Sequence, residues 1–246
     1  MTIVKYLKAV ATIALALASA SASAAAVLAR TSNTPSYALG GAKWTEFTGI
    51  FTSQHTLSRT ADISNLTQLQ SYDAVWVDQN LWSELASSEI SALTNYISSG
   101  HKAVLIGENY SWDSWNNSLM SVVGGDYTGA CSWGVGAPSV SHSLTAGISS
   151  VTNVCGSMIS SSTGSPTVLF SNNMAALYTV GSGEALVILD CNWNDDDYST
   201  LGNKMFEKNI VDWLGTTNPA HVPEPSTYAL ILVGIAAGSF VRRSRS

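Results

Sequence analysis

Charge is what this sequence has least of. Among 246 residues there are 11 Lys or Arg and 17 Asp or Glu, so 11% are charged, against roughly 25% in an ordinary soluble domain. The basic residues gather into no patch within the body of the chain, and the formal net charge is −6. Neutralising phosphates needs clustered Lys and Arg, so nucleic acid is excluded as a partner. Cysteine is also scarce, with Cys131, Cys155 and Cys191 alone, and no Cys-x-x-Cys or Cys/His cluster occurs. That excludes a structural zinc site. No G-x-S-x-G turn is present, which removes the strongest cue for a Ser/His/Asp hydrolase. No internal repeat is visible. Serine, threonine, asparagine and glycine supply the polar surface instead, a composition suited to an exported protein.

Both ends read as addresses. Lys5 and Lys8 precede an Ala/Leu-rich run from Ala9 to Ala18, followed by SASASAAA. A basic start, a short apolar stretch and small residues at an A-x-A site describe a secretory signal peptide over 1–24, cut after Ala22-Ser23-Ala24 to leave Ala25 first. The other end reads VPEPSTYALILVGIAAGSFVRRSRS after a linker at 216–221. Its apolar span, 227–241, is shorter than the roughly 20 residues of a comfortable transmembrane helix. Arg242, Arg243 and Arg245 follow directly and would be held in the cytoplasm. Pro223 and Pro225 break any helix arriving from the domain. A short apolar span behind a polar motif has the layout of a sorting signal; a plain C-terminal membrane anchor is the alternative.

Pro223-Glu224-Pro225, the apolar span and the arginine cluster together resemble a PEP-CTERM sorting signal over 222–246. The resemblance implies a Gram-negative cell, export to the periplasm or outer surface, transient anchoring in the inner membrane by the C-terminus, and exosortase as a partner. It also implies a setting among surface, exopolysaccharide or biofilm-matrix proteins. Cysteine use agrees with an oxidising compartment. Cys131 and Cys155 both lie in Gly/Ser-rich sequence, so a bridge between them is expected, leaving Cys191 over.

Residues 25–215 are enough for one domain with a single sizeable core. After an apolar run at Ala26–Ala29, Trp44, Phe47, Ile50 and Phe51 are spaced as on a helix, and YDAVWVD reads as a buried strand. Ser87 is then placed to cap a helix carrying Ile90, Leu93, Tyr96 and Ile97, which stops at Gly100, and HKAVLIG is a second buried strand. Strand, helix and strand with near-continuous apolar strands predict a βαβ unit in a parallel sheet. The stretch 124–165 reads as irregular. Residues 175–180 and 184–189 form a hairpin around Gly181-Ser182-Gly183, and Leu201, Met205, Ile210, Trp213 and Leu214 give a closing helix. The expected fold is an α/β sandwich with a mainly parallel sheet and a C-terminal antiparallel hairpin; an all-β sandwich is the alternative.

This order of elements resembles the flavodoxin-like fold of the class I glutamine amidotransferases, carried by YDAVWVDQN, HKAVLIGEN, HSLTAGI at 142–148 and GEALVILDCNW. That family places a nucleophilic cysteine in the turn after the strand that Ala103–Ile106 resembles. Here the turn reads Gly107-Glu108-Asn109-Tyr110, so the resemblance implies the fold and not the reaction.

Ligands of open parallel sheets bind beyond the carboxyl ends of the strands. Three strand exits share a vocabulary of carboxylate, amide and tryptophan: Asp78, Asn80 and Trp82; Glu108, Asn109 and Trp112; Asp190, Asn192 and Trp193. Together they are expected to form a sugar-binding rim. Asp190-x-Asn192-x-Asn194 opens like an EF-hand loop, but Asp195 stands where Gly is needed and Leu201 where Glu is needed. Another calcium site using Asp195, Asp196 and Asp197 stays open; the competing reading has Asp197 or Ser199 capping the last helix. No other cofactor is expected. Candidate catalytic residues are Glu108, Asp190 and Cys191, for an envelope hydrolase acting on carbohydrate or acyl groups. The favoured reading is a non-catalytic binding or structural domain.

Overall fold

The computed structural model describes residues 23–216. Five parallel strands make up most of a seven-stranded sheet: β1 (Ala26–Arg30), β2 (Thr56–Thr60), β3 (Ala74–Val77), β4 (Lys102–Ile106) and β9 (Gly183–Ile188). Their order is β2-β1-β3-β4-β9, continued antiparallel by β8 (Ala175–Val180) and β7 (Thr167–Val168). This is flavodoxin-like strand order with an antiparallel extension, as the apolar strands and the closing hairpin implied. The β8–β9 turn needs Gly181, whose φ of 61° is left-handed; a Cβ there would lie 2.6 Å from the Ser98 carbonyl oxygen.

Strand side chains alternate between two cores. Val27, Ala29, Trp76, Val104, Ile106 and Ile188 face α1 (Thr45–Gln54) and α5 (Leu201–Leu214). Leu28, Val75, Val77, Leu105 and Val187 face α3 (Ser87–Ser98) and α4 (Asp113–Val123), with the short α2 (Leu66–Leu69) beside them. The first core is aromatic: Phe47 meets Trp76 at 5.5 Å and Trp193 at 5.9 Å, and Trp193 meets Phe206 at 5.1 Å between ring centroids.

The stretch expected to be irregular instead holds two long strands, β5 (Asp126–Gly136) and β6 (Val151–Ser160), paired antiparallel outside the main sheet. Cys131 and Cys155 are disulfide-bonded across this hairpin, and Cys191 is a free, buried thiol. Ser87 is the first residue of α3 and not its cap; Glu89 accepts the Ala86 amide at 3.0 Å there.

The two ends of the described chain meet. The Ser23 amide donates to the Gly215 carbonyl at 3.0 Å. Lys102, at the start of β4, donates to the carbonyls of Trp213 and Thr216, each at 2.6 Å, and lies 4.8 Å from the Trp213 ring. Burial lowers the Lys102 pKa to about 8. The signal peptide up to residue 22, the linker beyond 216, the sorting motif and the 227–241 span lie outside the described residues.

Candidate functional site: an aromatic groove at the strand exits

β3, β4 and β9 are neighbours in the sheet, so Asp78, Glu108 and Asp190 do sit at adjacent carboxyl ends. Their side chains turn inward, however, with 0%, 2% and 0% of their surface exposed. Asp78 accepts the Trp76 indole N–H at 2.8 Å. Glu108 accepts the Asn109 amide and side chain through one oxygen, both at 2.9 Å, and the Cys191 amide through the other at 2.6 Å. Asp190 accepts the amides of Val154 at 2.5 Å and Asn192 at 2.8 Å. These three carboxyls knit loops together. Burial raises the pKa of each, to about 7 for Asp78, and the Glu108 charge raises Asp190 further.

The expected rim is therefore corrected. Trp193 is wholly buried among Phe47 and Phe206, because the apolar faces of α1 and α5 close over it. Asn80 is buried too, accepting the Asn33 amide at 2.6 Å. Asn109 and Asn192 are partly exposed. The catalytic candidates are equally internal. The Cys191 thiol is 4% exposed, and burial, with Glu108 and Asp190 adding, pushes its pKa well up. A nucleophilic cysteine needs the opposite environment and a path for substrate.

Asp195 and Asp197 share Lys43, which lies 3.9 Å from Asp195, while Asp196 turns to another element. Asp195 is buried and accepts the Asp197 amide at 2.9 Å. Asp196 accepts the Thr45 and Glu46 amides at 3.0 and 3.3 Å, capping α1 from 150 residues away. Asp197 pairs with Lys43. Neither Asp197 nor Ser199 caps the last helix; Thr200 does, accepting the Asn203 amide at 3.3 Å. Among the described residues no group of three His, Cys, Asp or Glu is placed to hold a metal ion.

The crevice between β1 and β3, where such sheets usually bind ligand, is filled by the chain itself. Asn33 clamps both backbone groups of Leu81, donating to its carbonyl at 2.8 Å and accepting its amide at 2.9 Å. The next residue, Trp82, is thereby thrown outward with a left-handed φ of 55° and 79% of its surface exposed.

Trp82 forms one side of a groove of about 230 Å³ lined also by Ser83, Tyr110, Ser111, Trp112, Asp113 and Ser114, with Trp115 behind. Tyr110 and Trp112 ride on a single 3-10 turn capped by Asn109, which accepts the Ser111 amide at 2.9 Å. Asn109 is itself held by Glu108, so the buried carboxylate serves to position the aromatic turn. Tyr110 is 58% exposed and Trp112 partly so. The floor is rigid: the Trp115 indole donates to the Ile106 carbonyl at 2.8 Å, and Arg30, ion-paired with Glu89 at 2.8 Å, lies 5.3 Å from its ring. The β5–β6 hairpin packs against the start of α4, where the Tyr127 hydroxyl donates to Asp113 at 2.9 Å. A Cβ at Gly129 would come within 3.5 Å of the Tyr110 Cβ.

Of the expected rim, then, Trp82 and Trp112 share a site, while Trp193 belongs to the core. Tyr110, Asp113 and Ser114, in the YSWDS stretch directly after Asn109, join Trp82 and Trp112 in the lining. A tyrosine between two polar residues at a helix start is the sequence signal for them.

The fold is shared widely among solved structures. The N-terminal domain of mmIFT52 matches with a TM-score of 0.63 at 14% identity, over 78% of this chain and 98% of that one. A ThuA-like protein from Bacteroides uniformis matches with a TM-score of 0.54 at 13% identity, over 80% and 93%. A cytoplasmic protein from Salmonella typhimurium gives 0.52 at 11% identity, over 71% and 85%. At such identities the likeness concerns the fold and carries no function. No curated protein matches the sequence. A family model, the PEP-CTERM protein-sorting motif, matches residues 221–246. The motif marks this chain as an exported protein of the kind processed by exosortase in Gram-negative bacteria. Among the described residues no helix is long and apolar enough to cross a membrane.

Proposed function

We propose that this is an exported binding module, without catalysis, that holds carbohydrate of the cell-surface or exopolysaccharide matrix in the groove of Trp82, Tyr110 and Trp112. The observation that carries this reading is Trp82 itself: a large apolar side chain left in water on a left-handed backbone, opposite two more accessible aromatics. Strained backbone of this kind collects at ligand sites. Aromatic faces cover the C–H faces of sugar rings, while Ser83, Ser111, Asp113 and Ser114 supply hydroxyl and carboxylate partners for sugar hydroxyls. The carboxylates and thiol that a hydrolase would use are buried, which favours binding over cleavage. The sorting motif supports display of the groove outside the cell.

Affinity electrophoresis through gels containing matrix polysaccharide tests this. Retardation of the wild-type protein, abolished in Trp82→Ala and Trp112→Ala and retained in Trp133→Ala, is the expected result. Trp133 serves as the control because it is 63% exposed on β5 yet does not line the groove. Equal retardation of all four proteins would remove the groove from consideration.

A further inference from the structure

The groove does not end at α4. It shares Ser114 with a larger trough of about 510 Å³ between the start of α3 and the outer face of α4. Glu84, Ser87 and Ile90 line one bank, and Ser114, Asn117 and Ser121 the other. The α4 bank follows the spacing of one helix face. Positions i, i+3 and i+7 of a helix share one face, and here that face is wholly polar, while Trp115, Leu119 and Val122 are buried behind it. The eight helical residues from Ser114 to Ser121 span about 10 Å. The trough is held open by Ser118, which accepts the Leu85 amide at 3.0 Å and donates to the Trp115 carbonyl at 2.7 Å. Neither groove nor trough is lined by Lys, Arg or His, whereas Glu84 and Asp113 are present.

From this continuity we infer that the site takes an extended, uncharged polysaccharide chain. One sugar ring stacks in the aromatic groove and the following rings lie along the hydroxyl and amide bank of α4. The inference rests on the carbohydrate reading above and narrows it in two ways. Length matters, because the trough adds contacts only a polymer reaches. Charge matters as well, because two carboxylates with no facing cation repel uronate or sulfate groups. A short sugar or a chain end would use the aromatic groove alone, leaving the polar bank without a role.

The full exported protein is run through gels containing dextran, mannan, xylan or hydroxyethyl cellulose, and in parallel through alginate or hyaluronan. Retardation by one or more neutral polymers and by neither acidic one is expected. Fragments of the retarding polymer, from disaccharide to hexasaccharide, are then titrated calorimetrically. Affinity should rise by about tenfold or more along the series. Asn117→Trp, which fills the trough from an exposed helix position, should remove that rise and spare disaccharide binding; Trp82→Ala should remove both. The inference is overturned by stronger binding to alginate, by equal affinity across the ladder, or by an unchanged rise in Asn117→Trp, while Trp82-dependent binding would leave the groove standing. No retardation by any of the six polymers overturns the groove and trough together.

Discussion

Two residues on opposite sides of the molecule illustrate how function and stability separate. Trp82 holds a backbone that disfavours any side chain, at a cost of roughly 1–2 kcal/mol for an L-residue in the left-handed region. Glycine would relieve that strain and remove exposed apolar surface. Trp82→Gly is therefore expected to keep or raise the melting temperature while abolishing carbohydrate retardation; a fall of more than about 3 °C would make Trp82 a structural residue. Glu207, on α5, is 2% exposed, and one of its oxygens has no protein partner. Burial raises its pKa to about 8, with Asp196 and Glu46 adding and Lys204 opposing. Asp78 is raised to about 7 by burial. Both carboxyls keep their protons in the folded state to a pH at which the unfolded chain, with carboxyls near 4, has lost them. The native state then binds more protons between about pH 4 and 8, so stability falls as pH rises through this window. Thermal unfolding at pH 5 and pH 8.5 should show the higher melting temperature at pH 5. Glu207→Gln should narrow the gap by stabilising the alkaline end, and an unchanged gap would contradict the assignment.

At the scale of elements, the β5–β6 hairpin is the part most dependent on a covalent link. Its outward face carries Trp133 and Val135, both exposed, and its ladder is interrupted between Thr128 and Trp133. The bridge closes a sequence separation of 24 residues, worth about 3 kcal/mol in the chain-entropy model. Cys131→Ser with Cys155→Ser should lower the melting temperature by that equivalent, and reductant should do the same to wild type but not to the double variant. The hairpin also shows why part of the fold was hidden in the sequence. β3 and β4 were legible because both their faces are buried, giving unbroken apolar runs. β5 and β6 offer Gly129, Gly134 and Gly136, and bury Asn153 and Ser157 where apolar residues would be diagnostic. β2, a polar edge strand pairing only with β1, gave no pattern either. The site was half legible. Topology placed carboxylates at neighbouring strand exits, but sequence carries no sign of which way a side chain turns. Trp112 and Trp193 both follow a strand by a few residues; only the helices packed above Trp193 distinguish them. Asp196 caps a helix far away in sequence, which no local spacing reveals. By contrast, Ser114, Asn117 and Ser121 recur at helical spacing in plain view.

For the whole molecule, the sorting motif at 221–246 makes a separate prediction. An epitope placed after Ser246 should be present on the precursor and absent from the mature surface form, because processing at the motif removes everything beyond it. Its persistence on surface protein would indicate a permanent anchor. Moving the epitope to Gly147, an exposed left-handed glycine between the 3-10 turn at Ser143–Thr145 and β6, where an added Cβ meets nothing, should preserve it through maturation.

The Lys102 clamp fixes the end of the domain from which the sorting motif departs. Lys102 begins β4 and fixes residues 213 and 216 at the amino ends of the strands. Trp82 and Tyr110 stand at the carboxyl ends, one strand length of roughly 17 Å away. Any attachment made beyond Thr216 would therefore hold the domain by the amino ends of its strands and leave the aromatic groove facing away from the point of attachment.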